Sequence, residues 1–178
     1  MERRGRVLRE VYSAEEIAVR VSNLAAQINE RYLGEPLVAI CVLKGAFMLF
    51  SDLLKHLKMP VQIDFVRLSS YGNETSTSHN IKMTKDVECE LAGQHVLIVE
   101  DIVDTGWSMD YLLQEFKKRG VKSLTLASLV DKPERREVGV KIDFAGFQST
   151  NGFLVGYGLD FAEQYRELPA IYELSFTE

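Results

Sequence analysis

Three carboxylates, Glu100, Asp101 and Asp104, fall within five residues directly after the apolar run His95-Val96-Leu97-Ile98-Val99. So much negative charge at the end of a buried strand is unfavourable unless something positive binds there. A hydrated Mg2+ suits the donor set, because it takes one or two carboxylates and completes its shell with water and substrate oxygens. Asp104-Thr105-Gly106-Trp107-Ser108 then leads into a helical segment, gathering backbone N–H groups and two hydroxyls where a helix dipole favours an anion. That arrangement is a phosphate cradle. The plainer reading of Asp101, Asp104 and Ser108 is helix capping, but a cap needs one such residue and not the whole VLIVEDIVDTGWS string.

These residues need a scaffold, and the hydrophobic pattern supplies one. Ser13-Ala14-Glu15-Glu16 has capping-box spacing, and Ile17, Val21, Leu24 and Ile28 follow at helical intervals up to Gly34. Leu37 to Leu43 is an unbroken apolar run, expected as a strand covered on both faces, and Ala46 to Leu57 is helix-permissive. Val61, Ile63 and Phe65 alternate with Gln62 and Asp64, which predicts a strand with one less buried face or near an edge. Ser69 to Asn80 reads as a long polar loop. A helix from Ser108 to Arg119, strands over Ser123 to Val130 and Ile142 to Phe147, and a strand-like Phe153 to Asp160 complete the pattern. Alternation of this kind predicts an α/β fold, a mostly parallel twisted sheet flanked by helices, in one domain spanning 1–178. In such a sheet ligands bind beyond the carboxyl ends of the strands. Lys44-Gly45, the Ser69–Asn80 loop, Glu100 to Ser108, Asp131-Lys132 and Asp160 occupy those positions.

Composition narrows the function classes. With 178 residues, 46% hydrophobic and 26% charged, the chain can bury a core, and a net charge of -5 argues against a broad nucleic-acid or anionic-membrane surface. No apolar stretch reaches membrane-span length, so a soluble cytoplasmic protein is expected. Cys41 and Cys89 form no metal motif, and His56, His79 and His95 lack ligand spacing.

The sequence resembles the type I phosphoribosyltransferases, within them the branch acting on 6-oxopurines. Leu43-Lys44-Gly45 matches the first active-site loop of that family, Arg67-Leu68-Ser69-Ser70-Tyr71 the start of its mobile loop, Val99 to Gly106 its core motif, and Phe153 to Arg166 its purine-side segment. The resemblance implies the family fold with a small hood subregion. It also implies Mg2+-dependent transfer of the 5-phosphoribosyl group from 5-phosphoribosyl 1-diphosphate to hypoxanthine or guanine, with xanthine a further candidate.

By that resemblance Asp104 is the general base. Glu100 and Asp101 hold the ribose hydroxyls and Mg2+, and Asp160 a second Mg2+. The backbone and hydroxyls of Asp104, Thr105, Gly106, Trp107 and Ser108 bind the 5-phosphate, Lys44 and Gly45 present backbone N–H groups to the pyrophosphate, and Arg166 contacts it. The Leu43–Lys44 peptide is often cis in the family. Lys132 addresses the purine 6-oxo group, Phe153 stacks on the ring and Leu154 reads its edge. Ser70 and Tyr71 belong to the loop that closes over the reacting centre. Trp107 departs from the smaller, aliphatic or basic residue expected there. A homodimer or homotetramer is implied. Two rival classes, a nucleic-acid-binding regulator on the same fold and a Mg2+-dependent phosphohydrolase, explain less: the first wants a basic stripe, and the second leaves Lys132, Phe153 and Asp160 without a role.

Overall fold

Ser13 begins the first helix as its spacing predicts: its Oγ accepts from the Glu16 N–H at 3.2 Å, and Glu16 Oε2 accepts from the Ser13 N–H at 2.8 Å. Helix α1 (Ala14–Tyr32) then buries Ile17, Val21, Leu24 and Ile28. The computed structural model describes residues 5–71, 80–149 and 152–177.

The main sheet has six strands in the order β4-β3-β2-β5-β6-β7: β4 (Asn80–Lys85), β3 (Val61–Tyr71), β2 (Leu37–Leu43), β5 (His95–Val103), β6 (Ser123–Asp131) and β7 (Phe144–Gln148). All neighbours are parallel except β3 and β4. Apolar side chains on the two faces form separate clusters. One gathers α1 and α2 (Phe47–Leu54) over Ala39, Cys41, Leu97 and Val99, and the other gathers α3 (Trp107–Lys117) over Ile40, Val42, Ile98 and Leu126. Burial on both faces explains why β2 and β5 are almost continuously apolar. Parallel register places Val99 opposite Cys41 and Val103 opposite Asp131. The segments after β2, β5 and β6 therefore emerge side by side at one end of the sheet.

A second, antiparallel sheet runs β1-β9-β8, from β1 (Arg6–Tyr12), β9 (Ile171–Phe176) and β8 (Phe153–Val155). It is the small subregion that the resemblance implied.

Several boundaries differ from the sequence expectation. The segment from Ser69 is not loop throughout, since β3 continues to Tyr71 and Asn80 begins β4. Residues 72–79 lie outside the described residues, as do the side chains of Ser70 and Tyr71. β3 lies near the edge, next to the edge strand β4, but its alternation departs from the expected one: Asp64 is buried while Ile63 is 48% exposed. The reason is hydrogen bonding. Asp64 accepts from the backbone N–H groups of Phe65, Glu88 and Cys89 at 2.6–2.9 Å, and those bonds outweigh the burial that raises its pKa, taking it down to about 2. Helix α2 is shorter than Ala46–Leu57, and the strand-like stretch after Phe153 stops at Val155, where Gly156 and Gly158 turn the chain with positive φ. Among the described residues no helix is long and apolar enough to cross a membrane.

Candidate active site

The loop from Glu100 to Ser108 surrounds a cavity of about 150 Å3, lined by Glu100, Asp101, Asp104, Thr105, Gly106 and Ser108 among others. Helix α3 starts behind it with Gly106 as N-cap, at φ 96°, and no side chain caps that end. The capping reading of Asp101, Asp104 and Ser108 is thus not realised. An uncapped N-terminus offers backbone donors and a positive dipole end to whatever fills the cavity. Trp107 takes its bulk elsewhere: its side chain does not line the cavity, and its indole N–H donates to Glu137 at 2.9 Å.

Gly106 is tied from behind. A Cβ on it would come 2.7 Å from the Val138 carbonyl and 2.9 Å from Arg136 Cδ. The Thr105 carbonyl accepts from the Glu137 and Val138 N–H groups at 2.9 and 3.1 Å. Arg136 donates to the carbonyls of Asp104, Val103 and Val140 and pairs with Asp131 at 2.5 Å. Arg135 Nε lies 2.9 Å from Asp104 Oδ1. That contact is ionic without hydrogen-bond alignment, for this buried oxygen has no hydrogen bond among the described residues. This buttress is not apparent from the sequence, where 131–139 is simply a charged stretch and Asp131, Glu134 and Glu137 offer both arginines partners close by.

Glu100 is buried and Asp101 partly buried, and neither meets a cation among the described residues. Burial, with the Asp101 charge beside it, raises Glu100 well above the usual carboxylate range. Two adjacent oxygen-donor groups in that condition fit one hard divalent cation. No cluster of three or more His, Cys, Asp or Glu side chains with metal-site geometry occurs among the described residues, so such an ion would draw its remaining ligands from water and substrate. Asp160, expected as a second metal site, stands apart in a pair with Arg166 at 2.7 Å.

Lys44 and Gly45 follow β2, and the Leu43–Lys44 peptide is cis. Gly45 is where two chain segments touch. A Cβ there would sit 1.6 Å from Asp101 Oδ2, and a Cβ on Gly158 would sit 1.9 Å from the Gly45 carbonyl oxygen. These two glycines let the β2 loop, the acidic loop and the segment after β8 close on one another. Lys44 Nζ reaches Glu163 at 2.7 Å, and Glu163 Oε1 lies 3.4 Å from Arg166. Glu163 was not singled out in the sequence; an i,i+3 acid before Arg166 resembles any surface pair.

Lys132 is 4% exposed, donates to the Gly152 carbonyl at 2.7 Å, and is drawn below the ordinary lysine range by burial, against the pull of Asp104. Phe153 is 49% exposed with its ring edge-on to Phe161, whereas Leu154 is buried and paired across to Glu173. The structure thus brings together the carboxylates, the helix N-terminus, Gly45 and Lys132 with Asp104. It holds Lys44, Asp160 and Arg166 in a separate ion-pair group on the Gly158 side. A larger cavity, about 440 Å3 between α1 and α2, contains none of these residues.

The sequence profile of the phosphoribosyl transferase domain matches residues 8–162. The chain belongs to the phosphoribosyltransferase family. Among its relatives, the hypoxanthine-guanine phosphoribosyltransferase of Bacillus subtilis (strain 168) is 43% identical over 159 residues, covering 89% of this chain and 88% of that one. The hypoxanthine phosphoribosyltransferase of Escherichia coli (strain K12) is 42% identical over 158 residues, 88% of this chain and 89% of its own. A crystal structure of a Bacillus anthracis hypoxanthine-guanine phosphoribosyltransferase superposes with a TM-score of 0.89 at 42% identity, covering 93% of this chain and 97% of that chain. The two-sheet architecture of this phosphoribosyltransferase is therefore that of its relatives.

Proposed function

We propose that the protein transfers the 5-phosphoribosyl group of 5-phosphoribosyl 1-diphosphate to hypoxanthine or guanine, forming IMP or GMP and pyrophosphate in purine salvage. The observation that carries this reading is the uncapped N-terminus of α3 opening into a cavity walled by Glu100, Asp101 and Asp104. A phosphate seated on the donors of residues 104–108 would place the attached ribose toward the paired carboxylates. Glu100 and Asp101 are suited to the ribose hydroxyls and to Mg2+, which when bound would neutralise diphosphate charge and orient the leaving group. Asp104 turns Oδ1 toward Arg135, yet its side chain is 36% exposed, which leaves the rest of the carboxylate to take the proton that the purine loses as its nitrogen attacks C1.

Lys132 supports the choice of base. Its ammonium has three donors and one acceptor among the described residues, so donors remain for a purine 6-oxo group, and an amino group in that place would oppose donor to donor. The exposed face of Phe153 suits stacking, and the Leu154 backbone the ring edge. Ser70, Tyr71 and the residues beyond are proposed to close over the centre and exclude water. Phe47, 44% exposed at the start of α2 close to Lys44, supports a homodimer or homotetramer with a subunit contact there. A cytoplasmic setting suits substrates of this kind.

The test is nucleotide formation from 5-phosphoribosyl 1-diphosphate and Mg2+ with hypoxanthine, guanine, xanthine, adenine and uracil offered separately. Product with hypoxanthine or guanine, reduced about 100-fold or more in Asp104→Asn, is expected. Product with adenine or uracil alone refutes the role given to Lys132, and no product with any base refutes the enzymatic reading.

A further inference from the structure

The turn after β8 holds an acid that no part of the proposed chemistry uses. Glu163 engages two cations with separate oxygens: Oε2 lies 2.7 Å from Lys44 Nζ and Oε1 lies 3.4 Å from Arg166. Its amide donates to Asp160 Oδ2 at 2.8 Å, and Asp160 Oδ1 is 2.7 Å from the same arginine. The backbone that aims Glu163 is unusual. Ala162, Glu163 and Tyr165 have φ of 50°, 61° and 78°, a region that residues with a Cβ enter rarely and keep only where their surroundings impose it. Buried Tyr165 and the mutual Phe161–Gln164 backbone hydrogen bonds impose it here.

Arg166 is incompletely satisfied by these partners. It donates to the Gly158 carbonyl at 2.7 Å, yet its Nε is buried with no hydrogen bond among the described residues. Lys44 remains 46% exposed at its side chain, within reach of an incoming anion.

We propose that Glu163 is a placeholder anion: in the free protein it neutralises Lys44 and Arg166 together, and a diphosphate must displace it to bind. Its charge thereby sets the affinity for 5-phosphoribosyl 1-diphosphate and for pyrophosphate. The inference rests on the reading of the Lys44–Gly45 loop and Arg166 as the diphosphate end of the site, and adds to it the Lys44 ammonium as a second cation there. It differs from a positioning role in sign, because removing a competitor tightens binding whereas removing a support weakens it.

Calorimetric titration of the full-length protein with inorganic pyrophosphate in the presence of Mg2+ separates the two. Glu163→Gln is expected to bind about three- to fivefold more tightly than the parent, the size that exposed ion pairs carry. Glu163→Asp, which keeps the charge, should stay near the parent, and adding Arg166→Ala to Glu163→Gln should remove most of the gain. Unchanged or weaker binding by Glu163→Gln, with the parent binding normally, overturns the placeholder alone. A parent protein that binds no pyrophosphate overturns the placeholder together with the reading beneath it.

Discussion

The two anion-facing ends of the site are built on different principles. At the cradle, Asp104 to Ser108, the donors are backbone groups fixed by Gly106, by Arg136 and by the 137–138 amides. At the Lys44–Arg166 end, the donors are long side chains already paired with acids. Fixed dipoles need no rearrangement before a phosphate arrives, so the cradle is ready in the free protein. Paired side chains must exchange one anion for another, so that end can be tuned and screened. A substrate carrying both a monophosphate and a diphosphate meets a rigid end and an exchangeable one.

The sharpest attempt to break this contrast is Gly106→Ala. A methyl group at φ 96° that meets the Val138 carbonyl at 2.7 Å must shift the loop, and displacement of that order costs about 100-fold in kcat/KM. Steady-state kinetics with less than about a threefold loss would show that the cradle is not preorganised. Arg136→Ala attacks the same end from behind. It strands Asp131, whose side chain is 14% exposed, and is expected to cost about 3–5 kcal/mol in urea unfolding.

Asp64 extends the fixed-dipole principle away from the site. Its folded pKa of about 2 lies below the ordinary value of 3.8, so the carboxylate stabilises the fold above about pH 4. That contribution, about 2 kcal/mol, is lost as pH falls from about 4 toward 2. Asp64→Asn should flatten stability over that window when unfolding is followed by circular dichroism. At the exchangeable end Lys44→Ala should shift unfolding by less than about 1 kcal/mol while raising KM for 5-phosphoribosyl 1-diphosphate. A large stability loss there would erase the contrast.

Legibility followed the same division. The strand, acidic loop and helix from His95 to Lys117 could be read because each residue type has a local reason to be there. The β1–β9 pairing could not, since Arg6 meets Phe176 across nearly the whole chain and neither strand carries a strong alternation. Asp64 misled the reading of β3, because two of its three backbone partners, Glu88 and Cys89, lie outside its own segment. Arg135, Arg136 and Glu163 looked like solvated charges for one shared reason: their meaning depends on residues 30 or more positions away, Glu163 on Lys44 and the arginines on Asp104.

Trp107 is the chain's single tryptophan. Its indole is hydrogen-bonded to Glu137, and the amide of Glu137 holds the Thr105 carbonyl, so the ring is fastened to the wall of the cradle without entering it. The protein thus carries its own fluorophore on the back of the loop. Emission from Trp107 will follow the filling of the cradle by a phosphate, with no label attached and no residue of the cavity altered.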